Sequence, residues 1–187
     1  RDTLSMERQR FPGAQELITG NFLRHSREFY QWRVHDREQR LREKPSPDLY
    51  DDLAVAYDKL GVHDKAIAIT LQKQKHFPGL YETHANLGTF YIHSGQLELG
   101  VKQIEIAISI NPDAHFGREE YQKHLVNYLL SRQTDGTTNL PLGIERSKTK
   151  APGFASYILE TQNIANSADA KATELSKATK GVLGMMR

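Results

Sequence analysis

Two stretches of this chain repeat each other at a fixed offset of 34 positions. Large apolar, small, aromatic, turn-glycine and closing-proline positions recur in the same order in both stretches. The first stretch carries Leu53, Ala54, Tyr57, Gly61, Ala66, Thr70 and Pro78, and the second carries Leu87, Gly88, Tyr91, Gly95, Gly100, Ile104 and Pro112. A unit of this length cannot bury its own apolar face, so it must stack on its neighbours. The offset therefore predicts an array of helical hairpins.

These residues resemble the tetratricopeptide repeat family, whose pattern combines Leu-Gly or Leu-Ala with Tyr, Gly, Ala, an aromatic residue and Pro. The second stretch matches it with Leu87-Gly88, Tyr91, Gly95, Ala107 and Pro112. The chain departs from the pattern where Tyr50 and His84 replace Trp, where Thr70 and Ile104 replace the aromatic residue, and where Gly100 replaces Ala. The resemblance implies an all-α fold, an α-solenoid of helix–turn–helix repeats with a capping helix and C-terminal helices.

The pattern of apolar and turn residues divides the chain into segments. Proline and glycine mark most of the boundaries. We predict an N-terminal extension (1–13), an array (14–132), a linker (133–152) and C-terminal helices (153–187). Within the array we assign a degenerate repeat (14–46), two repeats (47–80 and 81–113) and a capping helix (114–132). The C-terminal helices either fold back on the array or join a second copy of the chain.

Composition excludes several function classes. The chain has no Cys, which rules out disulfides and cysteine nucleophiles. The net charge of +2 argues against nucleic-acid binding by bulk electrostatics. No apolar run reaches the roughly 20 residues needed to span a bilayer. The first residue is Arg1, which we interpret as the result of a removed export signal. Together with the lack of Cys, this favours an exported, periplasmic bacterial protein over a cytoplasmic one.

Two side-chain groups could carry chemistry, and we weigh each against a structural role. None of the eight His residues belongs to a recognisable ligand motif such as HExxH. His84 and His93 are nine apart, on different sides of one helix. The segment from Arg33 to Lys44 is rich in Arg and follows the aromatic residues Tyr30 and Trp32, but its acids favour internal ion pairs over phosphate binding. We therefore predict no enzyme activity, no metal and no cofactor.

The resemblance also implies a binding surface, because the first helix of each repeat lines the concave face in this family. Transferred residue by residue, the predicted binding residues are Asp48, Asp51, Asp52, Val55, Asp58, Lys59, Glu82, Asn86, Thr89, His93, Phe116, Glu120 and Lys123. This surface is acidic at its entrance. We expect a protein or peptide partner that is neutral to basic, with the Asn86 amide pairing to its backbone.

One subgroup of the family binds the acidic tails of heat-shock chaperones with Lys, Asn and Arg at these positions. Here these positions hold other residues, namely Asp51, Val55, Phe116 and Glu120, and Asn86 alone matches the subgroup. We therefore expect acidic tails to be repelled. The alternative function is a self-associating assembly subunit, a homodimer formed through the C-terminal helices.

Overall fold

The protein is all-α apart from one short β-ladder, in a computed structural model that describes residues 25–134, 137–138, 153–164 and 167–185. The described part contains α1 (Arg27–Glu43), α2 (Pro47–Lys59), α3 (His63–His76), α4 (Tyr81–His93), α5 (Leu97–Ile110), α6 (Arg118–Ser131), α7 (Phe154–Thr161) and α8 (Ala168–Met185). A 3-10 turn, Ala114–Gly117, precedes α6. Strands β1 (Gln133–Thr134) and β2 (Thr137–Thr138) pair antiparallel. The predicted extension (1–13), the start of the degenerate repeat (14–24) and linker residues 139–152 lie outside the described residues.

The sequence period reappears in the helix boundaries. Helices α2 and α4 each have 13 residues and begin at Pro47 and Tyr81, 34 positions apart. Helices α3 and α5 each have 14 residues and begin at His63 and Leu97, again 34 positions apart. We call α2 with α3 the first hairpin and α4 with α5 the second hairpin. The sequence repeat is thus also a repeat of local structure.

Both hairpins turn in the same way after their first helix. Gly61 and Gly95 have φ angles of 80° and 83°, in the left-handed region that glycine adopts without steric cost. In the first hairpin the Gly61 amide donates to Asp58 O and the Val62 amide donates to Tyr57 O, both at 2.9 Å. Gly95 and Gln96 form the same two bonds in the second hairpin. These are Schellman motifs, which confirms the prediction that glycine ends the first helix of each unit.

Helix starts follow local capping signals. Ser26 is the N-cap of α1, because its Oγ accepts from the Phe29 amide at 3.2 Å. Ser46 caps α2 by accepting from the Leu49 amide, and Pro47 occupies the first helical position. Capping thus fixes where α1 and α2 begin.

The apolar core runs along the array as clusters that join neighbouring helices. The largest cluster contains Leu53, Ala54, Tyr57, Ala66, Ile67, Leu87 and Phe90. In this cluster Leu87 and Phe90 of the second hairpin are buried against the first. Ile92, Ile104 and Val126 form another cluster that joins α4, α5 and α6. Each unit therefore buries its apolar face against the next, as stacked helical repeats do.

Helices α7 and α8 pack on α6 and on each other. Ile158 of α7 is fully buried in a cluster with Tyr121 and Ala178. The Tyr121 hydroxyl donates to Glu174 Oε1 at 2.8 Å. The two predicted C-terminal helices are therefore present, and their described contacts continue the end of the array.

Candidate functional site

The candidate site is a row of polar side chains along α2, α4 and α6, the helices predicted to line the concave face. Side chains of successive helices bond directly across the row. The bonds are Asn86 Nδ2 to Asp51 Oδ1 (2.9 Å), His93 Nδ1 to Asp58 Oδ2 (2.9 Å) and Gln122 Nε2 to Thr89 Oγ1 (3.2 Å). We call these six residues the inner polar row. Its bonds join α2 to α4 and α4 to α6.

Towards one end of α2, a partly buried ion pair joins the inner polar row to α3. Lys73 of α3 is 1% exposed, and its Nζ donates to Asp51 Oδ2 at 2.5 Å. Burial raises the pKa of the Asp51 carboxyl, although the Lys73 ammonium and the Asn86 amide act in the opposite direction. Lys73 thus compensates a carboxylate that the sequence pattern assigns to ligand binding.

The neighbouring acid, Asp52, pairs with α1 instead. Arg37 Nε donates to Asp52 Oδ2 at 2.8 Å, and Arg33 lies 3.7 Å from Oδ1. Asp36 also pairs with Arg37 within α1. Asp36 also lies 3.9 Å from Arg40, one helical turn away. The predicted ion pairs within this helix are therefore present, but Arg33 and Arg37 also pair with α2, which the sequence pattern does not predict.

At the other end of α2, two imidazoles converge on one buried carboxylate. The Asp58 side chain is 2% exposed, and its Oδ1 lies 2.9 Å from His63 Nδ1. His93 Nδ1 lies 2.9 Å from both Asp58 oxygens, and its side chain is 1% exposed. We call Asp58, His63 and His93 the aspartate–histidine cluster. One ligand atom of each residue lies within 4.8 Å of the others, so the cluster could hold a metal ion.

At α6 the predicted residues bond within their own helix. Glu120 lies 3.0 Å from Lys123 Nζ and 3.2 Å from His124 Nε2. Burial lowers the pKa of His124, while the Glu120 carboxylate raises it. His124 also lies 3.0 Å from the Gln162 side chain, just after α7. This end of the row therefore borders the C-terminal helices.

The thirteen predicted binding residues differ in accessibility. Asp48 and Glu82 are exposed; Asp51, Asp52, Val55, Lys59, Asn86, Thr89, Glu120 and Lys123 are half-buried; Asp58 and the His93 side chain are buried. The side chain of Phe116 lies outside the described part of the structure. Several of these side chains thus bond to one another, which leaves Asp48 and Glu82 as the exposed acids of the surface.

Sequence reasoning missed His63, Lys73 and Gln122, which complete these contacts. A search for histidine motifs within one helix cannot find them, because His93 meets Asp58 across two helices. Asp58 and His93 are 35 positions apart, and so are Asp51 and Asn86. One period plus one residue brings side chains of successive units together. A search of the sequence for polar residues 35 positions apart would have pointed to these two contacts.

Comparisons of the chain with protein-family models, with curated proteins and with solved structures give no match. The class that the described fold defines is an all-α protein of helical-repeat-like architecture. Among the described helices, none is long and apolar enough to cross a membrane.

Proposed function

We propose that the chain is a protein-interaction scaffold, a tetratricopeptide-like solenoid that binds a peptide or partner protein along α2, α4 and α6. The observation that carries the proposal is the inner polar row, because its bonds link three successive helices and its half-buried members, Asp51, Asn86 and Thr89, remain partly accessible. Support also comes from the equal helix lengths and Schellman turns at an offset of 34 positions, the repeat length of that family. The proposed role is binding without catalysis.

The proposed ligand is a neutral to basic peptide. Asp51 and Asp52 are compensated by Lys73 and Arg37, so they contribute little net attraction, and Asp58 is buried. Asp48 and Glu82 are exposed near the starts of α2 and α4. Their carboxylates would attract Lys or Arg side chains, an effect that weakens with salt. The Asn86 amide oxygen, for which the described residues provide no partner, would accept from a peptide N–H.

A selection from an unbiased displayed-peptide library tests this proposal. Selected peptides are then measured by fluorescence polarisation against the chain and against Asp48→Lys/Glu82→Lys. We expect enrichment of basic peptides and at least about tenfold weaker binding by the double variant, equivalent to about 1.4 kcal/mol. Glu105→Lys is the matched control, because Glu105 is exposed on α5, outside the proposed surface.

Two results would contradict the scaffold proposal. One is a library selection that enriches no peptide at micromolar affinity. The other is an equal loss of binding in the Glu105→Lys control, which would indicate nonspecific charge attraction. Binding of acidic peptides with similar affinity would contradict the assignment of ligand charge.

A second candidate function, self-association through the C-terminal helices, has its own supporting observation. An apolar cleft of about 380 Å³ lies between α7 and α8. Its lining residues are Phe154, Ala155, Ile158, Leu175, Ala178, Thr179 and Val182. A second copy that covered this cleft would have to bury more than about 1,000 Å² to form a stable dimer.

Light scattering coupled to size exclusion tests this second function. A dimer that becomes monomeric in Thr179→Lys would support it, because this exposed residue lines the cleft. Thr173→Lys, exposed on the same helix and not among the lining residues, is the control. A monomeric wild-type chain would exclude the second function at the concentrations tested.

A further inference from the structure

The aspartate–histidine cluster has the donor atoms of a transition-metal site. Imidazole nitrogen and carboxylate oxygen are common Zn²⁺ ligands, at about 2.0–2.2 Å from the ion. Tetrahedral ligation at that distance separates neighbouring ligand atoms by about 3.3 Å. Each Nδ1 already lies 2.9 Å from an Asp58 oxygen. The two contacts with Asp58 would lengthen by a few tenths of an ångström, and the two imidazoles, whose ligand atoms lie within 4.8 Å of each other, would adjust to the ion.

The electrostatics of the cluster favour a cation. The Asp58 carboxylate is buried, and a buried charge needs a compensating partner. Asp58 and His93 also lie in the last turns of α2 and α4. The negative ends of two helix dipoles thus point towards the cluster, against the positive end of one, because α3 begins at His63. The balance favours positive charge there. A divalent cation would satisfy all three groups.

The fold itself does not require these polar groups. One period after Asp58 and His63, the second hairpin has Ile92 and Leu97. Both pack in an apolar cluster with Ile104 and Val126, in a hairpin of the same helix lengths. The same architecture therefore accommodates apolar residues where the first hairpin has a carboxylate and an imidazole.

We propose that Asp58, His63 and His93 bind one Zn²⁺ ion, with water in the fourth position. The ion would join the end of α2, the start of α3 and the end of α4, so that it links the two hairpins. His63 is the residue through which the ion enters, because its side chain is 20% exposed. The chain has no Cys, so these nitrogen and oxygen donors face no competition from thiolates.

Binding requires a change of tautomer at both imidazoles. A carboxylate only accepts, so each Nδ1 that lies 2.9 Å from Asp58 carries a hydrogen in the metal-free cluster. The ion takes the Nδ1 lone pairs, so each imidazole releases its Nδ1 proton to solvent and gains one at Nε2. Two neutral imidazoles and one carboxylate then leave a net charge of +1 at the site, and no redox step is involved.

The test is titration of the full chain, stripped of metal by a chelator, with ZnCl₂ in a calorimeter. The variants are His63→Leu, which copies the residue of the second hairpin, and Asp58→Asn. We expect one Zn²⁺ per chain in the wild type and at least about tenfold weaker binding in each variant. His35→Leu is the matched control, because His35 is exposed on α1 and outside the cluster.

A second readout covers the case in which Asp58→Asn fails to fold. Co²⁺ bound by nitrogen and oxygen donors gives visible absorption bands that report its coordination. These bands should appear with the wild type and with the His35→Leu control, and they should be lost in His63→Leu. The His63 side chain is partly exposed, so it can be replaced without opening the core. Equal Zn²⁺ affinity in His63→Leu and wild type would overturn the proposal, as would the absence of wild-type binding below millimolar concentration.

Discussion

The first and second hairpins share helix lengths, turns and apolar pattern, yet they differ in the pairs that join their two helices. In the first hairpin, Asp51 and Lys73 form a partly buried ion pair. The equivalent positions one period later hold Ala85 and Ala107, which are both buried in an apolar cluster. The fold is thus made equally well with a charged pair or with two alanines. Polar groups in the first hairpin are therefore additions to the repeat and not conditions for it.

The small residues of the pattern differ as well. Ala54 and Ala66 of the first hairpin are fully buried, and Gly88 and Gly100 take their places in the second. A Cβ on Gly100 would lie 2.6 Å from Ile92 Cγ1 and 3.0 Å from the Gly88 carbonyl oxygen. Helices α4 and α5 therefore approach each other closely at these two glycines.

Lys73→Ala should give the largest effect, a loss of about 3 kcal/mol in the free energy of unfolding, because it leaves the half-buried Asp51 carboxylate without its counter-charge. The measurement is urea unfolding followed by circular dichroism. The control is Lys73→Ala/Asp51→Ala, which copies the second hairpin and should be more stable than the single variant. If the double variant is no more stable than Lys73→Ala, the stability lost in the single variant does not come from breaking the ion pair.

The same variant has a defined pH dependence. Burial already raises the pKa of Asp51, and removal of the Lys73 ammonium raises it further. A carboxyl with a raised folded pKa adds stability below its unfolded pKa of about 3.9, and this contribution is lost as the pH rises through the folded value. The deficit of Lys73→Ala relative to the wild type should therefore be larger at neutral pH than in acid. A deficit that does not change with pH would contradict this.

Gly100→Ala should destabilise the second hairpin by about 2 kcal/mol, because the added methyl group overlaps Ile92 and the α4 backbone. Thermal unfolding measured by calorimetry would detect this loss. A neutral or stabilising result would mean that α4 and α5 can separate at little cost.

Ala66→Gly is the reverse exchange in the first hairpin and should cost about 1 kcal/mol through helix propensity and lost burial. Equilibrium unfolding in urea measures it. If it costs more than Gly100→Ala, the first hairpin depends on close packing at this position more than the second does.

His63→Leu should have the smallest effect on the metal-free protein, below about 1 kcal/mol, because Asp58 keeps its bond to His93. Thermal unfolding in the presence of a chelator gives this value. Repeating the scan with Zn²⁺ should stabilise the wild type and leave His63→Leu unchanged. The metal-free protein could instead lose about 2 kcal/mol or more, as much as a buried polar group left unsatisfied costs. His63 would then be primarily a structural residue.

The helix boundaries were predictable because their signals are local. Gly61, Gly95 and Pro47 act through the backbone conformations that they permit, whatever packs around them. The polar contacts were not predictable in the same way. The sequence pattern predicts that Asn86 binds a ligand, but its amide donates to Asp51. That bond depends on the rotation and spacing of two helices, which no single helix pattern contains. Lys73 lies on the second helix of its hairpin, where the pattern predicts no binding residue.

The separation in sequence between bonded partners has a consequence for the order of folding. Within the array, the bonds of the inner polar row join residues that are 33 to 35 positions apart. These bonds are Asp51–Asn86, His93–Asp58 and Gln122–Thr89. Tyr121 and Glu174 are 53 positions apart and form a bond only after the intervening chain has closed a long loop. We expect α8 to dock after the array has formed, and amide hydrogens of α8 to exchange through a local opening that leaves α2 to α5 intact.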